Sequence, residues 1–485
     1  MDNVSALFSR GGTFVVDGRT ISRGELDSAA RRVVGYLEQA GTGPGDRIGL
    51  RMPNTPGYLA CLWACARLGA VAVALNHRFS RPELDDLTRR AGCRLIVSDT
   101  EGGSVPVVHP TEVTAGPLST TDRSAPQAPF AVFTTSGTTS EPKLVLHTQG
   151  GVAAHGADAA RAFGYGPGTV SLLALPLSGV FGFTTLTAAL AAGSTTVVQA
   201  RPHAQTGAAL IERYGVTHCC ASDDFLTRVL DTGADLSSLR YVGYAAFNPA
   251  LDDLPVRAEA RGIPMCGLYG MSEVQALFAG RDPHQPLAER RRTGGRPASP
   301  EASARVVDAD SGKPLPPGGE GELQLRGPSM FAGYLADGGA HLDHELTAGH
   351  FTDGWFRTGD LGRMEDGGSF EYLARMGDVL RLGGYLVNPA EIEQPLLGHP
   401  GVADVQVVAI DRPTGARAVA FVLADPTEFD EEALVEFCRA RMARYKVPLR
   451  IVRLDEFPTT PSANGTKIRK ADLRAMADSV VTADS

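Results

Sequence analysis

Between Phe133 and Lys143 the chain reads Phe-Thr-Thr-Ser-Gly-Thr-Thr-Ser-Glu-Pro-Lys, a hydroxyl-rich stretch that follows an apolar run and ends in a lysine. Thr135, Ser136, Thr138 and Thr139 offer hydroxyl donors, Gly137 leaves backbone amides open to close approach, and Lys143 adds a compact positive charge. Such a set suits the oxygens of a phosphate. The order differs from the G-x-x-x-x-G-K-[ST] loop, because Gly137 stands six residues before the lysine and Pro142 takes the second glycine's place. By itself the stretch also fits a surface turn whose hydroxyls cap backbone groups. Lysine usage adds weight to the first reading: only Lys143, Lys313, Lys446, Lys467 and Lys470 occur, while arginine fills most cationic positions. An ammonium that must reach between two oxygens cannot be exchanged for a planar guanidinium.

These residues need a scaffold, and the hydropathy pattern describes one. From about Ile21 to Asp99, amphipathic segments (GELDSAARRVVGYLEQAG, TPGYLACLWACARLGA, RPELDDLTRRAG) alternate with short apolar runs (DRIGLRM, AVAVAL, RLIVSD). Helix and strand in alternation predict an α/β fold with parallel sheets covered by helices. The texture returns from Leu172 to Gly270, with strands expected at VSLLALPL, STTVVQA, YVGYAAF and IPMCGLYG. Between about Ala302 and Tyr372, short segments separated by turn-forming SGKPLPPGGEG and MEDGGS predict antiparallel strands. After Arg375 an α+β stretch follows, with a helix expected over ALVEFCRARMARY and a strand over RIVRLDEF.

Composition narrows the partners. A formal charge of -9 with interspersed signs leaves no basic footprint for nucleic acid. The N-terminal segment lacks the pattern of a secretory leader, and the Ala/Leu-rich segments are interrupted by polar residues, so a cytoplasmic protein without a membrane partner is expected. The seven cysteines have no short repeated spacing, and several, such as Cys61 and Cys65 on one helix face, lie in apolar stretches that predict reduced core thiols. His341, His344, Glu345 and His350 have spacings compatible with a metal site, with a solvated helix as the other reading.

Six motifs taken in order carry a resemblance. TTSGTTSEPK is similar to the phosphate loop of the adenylate-forming superfamily of acyl-CoA synthetases, adenylation domains and luciferases. LYGMSE (268–273), GELQLRGPSMFAGYL (321–335), WFRTGDLG (355–362), YLARMGDVLRLGGYLVNPAEIE (372–393), and YKVP (445–448) with ANGTKIRK (463–470) resemble further family segments in the family's order. The resemblance implies a large N-terminal domain (1–375) with a small β-barrel-like subdomain, and a small mobile C-terminal domain (376–485) carrying the catalytic Lys467. It also implies Asp360 at the ribose, Arg375 at the same ribose or the phosphate, Tyr269 and Gly270 beside adenine, and Ser272, Thr138 and Lys143 on the phosphates. Glu273 would hold Mg²⁺, a hard ion that prefers oxygen ligands, and Asp378 would be the hinge. Ser178, Gly179, Phe181, Tyr244, Ala245, Ala246, Phe247 and Met271 would line the acid pocket.

The implied activity is ATP-dependent activation of a small organic acid as its adenylate, then transfer to a nucleophile, foremost the thiol of CoA. A freestanding enzyme that loads an acyl carrier protein is a second reading, and adenylation of nitrite for attack by an aryl amine a third. A nucleotide-binding scaffold without activity is disfavoured by the joint presence of Lys143, Glu273, Asp360 and Lys467. The assembly expected is a monomer or homodimer. Departures from the family pattern fall at the pocket: Gly179 stands where an aromatic residue or histidine is usual, and Ala245-Ala246-Phe247-Asn248 replaces a Gly-Gly-Ala-Pro stretch. Ser140 and Leu144 replace glycines in the phosphate loop. With Ser178 and Gly179 where amino-acid adenylation domains carry an aspartate, an α-amino acid substrate is disfavoured. Asp223 and Asp224 are read either as partners for a substrate amine or, more simply, as a helix cap.

Overall fold

Helices start where the sequence supplies caps. Ser22 accepts from the amide of Glu25 while Glu25 returns a bond to Ser22 N, a capping box that opens the helix Arg23–Gln39. Thr55 with Pro56 opens the helix Pro56–Leu68, which Gly69 closes at φ 73°. That second helix is buried almost throughout, with Trp63 stacked on Phe8 at 5.4 Å between ring centres. Cys61 and Cys65 lie in it as unpaired core thiols, and burial pushes the Cys65 thiol up to about 12. All seven cysteines are buried and unpaired. The computed structural model describes residues 2–135, 142–246, 251–382, 385–412, 416–462 and 465–482.

Two helix-covered sheets form the large part of the molecule. In the first, Val107–Val108, Cys93–Ser98, Arg47–Arg51, Val71–Ala74 and Pro129–Thr134 run parallel side by side, and Leu144–Thr148 closes antiparallel on Pro129–Thr134. In the second, Phe14–Val16, Thr195–Val198, Val170–Leu173, His218–Ser222, Tyr241–Ala245 and Met265–Tyr269 are parallel. The strand His218–Ser222 was not among those expected, since HCCAS is too short and too mixed to show a period.

From Met265–Tyr269 the second sheet continues through Ala279–Gly280 and Gly294–Pro297 into antiparallel strands Phe370–Arg375, Trp355–Met364, Glu320–Arg326 and Ser303–Val307. The α/β texture therefore gives way to antiparallel pairing at the segment predicted from its turns.

After residue 375, a three-stranded sheet of Asp404–Ile410, Arg417–Leu423 and Arg450–Leu454 packs with the helices Ala390–Leu397, Glu431–Arg439 and Lys470–Thr482. The helix expected to run to Tyr445 stops at Arg439, and turns follow. Pro448 disfavours helical backbone at Val447, and the turns let Met442, Tyr445 and Val447 meet the same apolar cluster. Among the described residues, no helix is long and apolar enough to cross a membrane.

Candidate active site

The hydroxyl-rich loop springs from the hairpin Pro129–Thr134 and Leu144–Thr148, and its base is closed by two hydrogen bonds. Thr135 N donates to Lys143 O at 2.9 Å, and Lys143 N donates to Thr135 Oγ1 at 3.0 Å. Ser136, Gly137, Thr138 and Thr139 lie outside the described residues, as does Phe247. The Lys143 ammonium lies 5.0 Å from the centre of the Tyr334 ring and 2.7 Å from His350 Nε2. Burial lowers its pKa, while the charge of Glu273 opposes that shift.

Asp360 and Arg375 stand directly opposite each other in the ladder between Trp355–Met364 and Phe370–Arg375. The Asp360 carboxylate is almost wholly buried; its Oδ2 accepts from the Tyr269 hydroxyl at 2.6 Å and its Oδ1 lies 2.8 Å from Arg375 Nη1. That second contact is an ion pair without an aligned hydrogen bond, so among the described residues Oδ1 lacks a donor. A buried carboxylate oxygen in want of a donor fits a ligand hydroxyl. Burial raises the Asp360 pKa, against the pull of Arg375 and Tyr269. Arg375 itself is 51% exposed in its side chain, which leaves part of its fork open to a ligand. The Tyr269 ring, expected against adenine, is packed on Phe370 and Tyr372 and 6% exposed, while its hydroxyl is held by Asp360.

Glu273 sits in the single turn Ser272–Val274 with 9% exposure, and its Oε1 accepts from the Tyr334 hydroxyl at 2.9 Å. The backbone after it is strained: Gln275, Ala276 and Leu277 have φ of 61°, 49° and 39° in succession. Four buried groups hold the path. His147 Nε2 donates to Ser272 O at 2.8 Å, His155 Nε2 to Ala276 O at 2.9 Å, Thr184 Oγ1 to Gln275 O at 2.5 Å, and Gln275 Nε2 to Ser329 O at 3.2 Å. Gly270 is needed because a Cβ there would lie 2.6 Å from Ala276 backbone atoms. Ser272 Oγ donates to Thr134 O at 3.4 Å, tying this turn to the phosphate-loop strand.

Burial lowers both histidines to about 4 from their usual 6.5. Both are therefore neutral at pH 7, and the unfolded chain binds more protons between about 6.5 and 4. Stability is full above pH 6.5 and falls as pH drops toward 4. Urea unfolding of His155→Gln, which keeps a donor but does not titrate, should show a shallower acid loss than the parent across that window. An unchanged slope would remove this account.

Of the residues expected to line the acid pocket, Gly179 is the cap of the helix Val180–Ala192, and Ser178 and Phe181 on either side of it are buried. Gly182 permits the turn, since a Cβ there would meet Pro176 O at 2.5 Å. Tyr244 is buried and its hydroxyl donates to Arg291 O at 2.5 Å, Ala245 is half-buried, Ala246 exposed and Met271 half-buried. Ser222 caps the helix Asp223–Asp231, which corrects the reading of the two aspartates as its cap; Asp224 pairs with Arg228 at 2.7 Å instead. Asp378 lies in the turn after Phe370–Arg375 and pairs with Arg474 of the C-terminal helix at 3.0 Å. The backbone of Lys467 pairs with Thr460 in the hairpin Thr459–Ser462 and Gly465–Ile468, but its side chain is outside the described residues.

Two residues, Tyr334 and Thr358, were not singled out in the sequence, and a third, His350, has a different setting from the one its spacing suggests. Tyr334 and Thr358 lie inside the quoted motifs, where Thr358 accepts from Asp360 N at 3.0 Å. His350 falls in the histidine-bearing stretch read as metal site or solvated helix; it fits neither description. Its Nδ1 bonds Leu346 O at 2.9 Å, its Nε2 contacts Lys143, and no group of three metal-ligating side chains exists among the described residues.

Residues 5–335 match the AMP-binding enzyme family and residues 391–464 the AMP-binding enzyme C-terminal domain. A feruloyl-CoA synthase of an Amycolatopsis species is 31% identical over 476 residues, covering 94% of each chain. The fatty acid–[acyl-carrier-protein] ligase ScoC of Streptomyces coeruleorubidus is 30% identical over 489 residues, covering 94% of this chain and 92% of ScoC. ATP-bound MatB from Rhodopseudomonas palustris superposes with a TM-score of 0.86 at 25% identity, over 98% of this chain and 99% of that one.

Proposed function

The chain belongs to the AMP-binding enzyme family, and from that premise we propose that it activates a small organic acid as its acyl-adenylate, releases pyrophosphate, and passes the acyl group to the thiol of CoA. One observation carries the reading. The Lys143, Tyr334 and Glu273 cluster and the Asp360, Arg375 and Tyr269 cluster lie within electrostatic reach of each other, the first suited to phosphates and the second to a ribose. A nucleotide bound between them would present its α-phosphorus to an acid oxygen, and Gly179 and Met271 are among the residues assigned to the acid.

In this mechanism the acid's oxygen bonds to phosphorus as the bond to the pyrophosphate oxygen breaks, and the electron pair leaves with pyrophosphate. Asp360 and Arg375 hold the ribose in place, which converts binding energy into orientation. Lys143, with Ser272 and the loop hydroxyls of Thr135 to Thr139, neutralises the phosphate oxygens. Glu273 would offer a carboxylate to Mg²⁺, which when bound would spread the charge of the polyphosphate; a lone protein carboxylate suits an ion that takes most of its ligands from phosphates and water. Lys467 then approaches the incoming oxygen and the α-phosphate. The division into 1–375 and 376–485 belongs to the same proposal, supported by apolar clusters that end at Tyr372 on one side and begin at Leu380 on the other.

An acid panel assayed for pyrophosphate release with and without CoA tests the reaction. Thioester formed only with acid, ATP, Mg²⁺ and CoA is the expected result. Transfer to an acyl carrier protein but not to CoA would move the enzyme to the second reading, which its likeness to ScoC supports. AMP formed only from nitrite plus an aryl amine would sink the carboxylate reading. Gly179→His should raise the KM for the acid severalfold and leave that for ATP unchanged, because it narrows the pocket at the cap of Val180–Ala192. A loss of nucleotide binding in that variant would displace Gly179 from the pocket.

A further inference from the structure

His350 lies outside the family motifs yet reaches into the phosphate site. We propose that it is a positioning residue for Lys143, holding the lysine ammonium over the Tyr334 ring so that it meets the polyphosphate of ATP without first being ordered. The proposal rests on the assignment of Lys143 to the phosphates.

The geometry determines the ring's protonation. Leu346 O, a carbonyl that can only accept, lies 2.9 Å from Nδ1, so Nδ1 carries the proton. In the neutral ring Nε2 is then an acceptor, and the Lys143 ammonium donates to it at 2.7 Å. An ammonium has three donors; His350 takes one and two stay free for phosphate oxygens.

The ring is itself held. It packs edge-on to Tyr334 at 5.1 Å and stacks with Phe356 at 6.3 Å, while Leu346 belongs to the short helix His344–Ala348, capped by Asp343 through a 2.8 Å bond to Leu346 N. Tyr334 also lies under the ammonium and donates to Glu273, so one aromatic side chain supports the phosphate lysine, the histidine and the acidic residue together. A long, flexible lysine loses rotamer freedom when fixed, and a contact that fixes it beforehand moves that loss from binding to folding.

Calorimetric titration with Mg·ATP and with AMP, in the absence of acid, tests this on the parent and four variants. His350→Phe keeps the ring against Tyr334 and Phe356 but removes the acceptor; it should weaken ATP roughly 5- to 10-fold, the worth of one hydrogen bond, and leave AMP unchanged. His350→Gln, which returns an acceptor, should restore ATP affinity to within about 2-fold. Lys143→Ala should weaken ATP, and adding His350→Phe to it should change nothing further, because the histidine acts through the lysine. Equal weakening of ATP and AMP, an additive effect on the Lys143→Ala background, or no effect of His350→Phe would each overturn the proposal. If Lys143→Ala itself leaves ATP affinity intact, the phosphate role of Lys143 fails and the proposal with it; a strong Lys143→Ala effect beside a silent His350→Phe overturns the positioning alone.

Discussion

Lys467→Ala should lose adenylate formation by about 100-fold or more while binding of ATP and acid changes little, by analogy with removal of one preorganised donor. As the acid oxygen closes on the α-phosphate, two groups of negative oxygens are forced together. An ammonium between them is worth most at that moment, and an interaction stronger in the transition state than in the ground state appears in turnover rather than in affinity. The second half-reaction has no such demand, so transfer to CoA from a supplied acyl-adenylate should proceed at near-parental rate. The hairpin that carries Lys467, Thr459–Ser462 with Gly465–Ile468, is held by backbone pairing that alanine preserves, so the variant should fold. Near-normal pyrophosphate release by the folded variant would return Lys467 to an ordinary solvated lysine.

Asp360→Ala is expected to weaken ATP by roughly 100-fold, since two hydrogen bonds from the ribose to a charged acceptor are together worth on the order of 3 kcal/mol. Acid binding should be spared. The structure adds a consequence for stability: removing this carboxylate strips Arg375 of its ion-pair partner, leaving it the bond to Thr358 O, and leaves the buried Tyr269 hydroxyl without its acceptor. Asp360→Asn keeps the volume and an acceptor oxygen, and should recover much of the folding stability while still binding ATP poorly. Calorimetry with ATP and thermal unfolding, run on both variants, separate the two effects. Unaltered ATP affinity in the folded Asn variant would remove Asp360 from the ribose site.

Much of this arrangement is legible along the chain because it depends on local chemistry. The caps at Ser22 and Thr55, the alternation of helix and strand, and the antiparallel change after Ala302 all follow from short-range pattern, and the structure carries them. The motifs with Lys143, Glu273, Asp360 and Arg375 are equally local, each a few residues long. What only the tertiary structure decides is which of these side chains hold one another. Asp360 meets Arg375 because a ladder places them opposite, across 15 positions of sequence, and Tyr269 reaches the same carboxylate from a different strand 91 positions away. The left-handed run at Gln275 to Leu277 carries no glycine to announce it, since it is sustained by histidine and threonine donors from remote elements. His350 is the plainest case. Its sequence neighbours suggest a metal ligand or a solvated helix, and its partner Lys143 is 207 positions away. Residue type and spacing report what a side chain is able to do; the long-range packing of the two sheets decides which oxygen or nitrogen it finds within hydrogen-bonding distance.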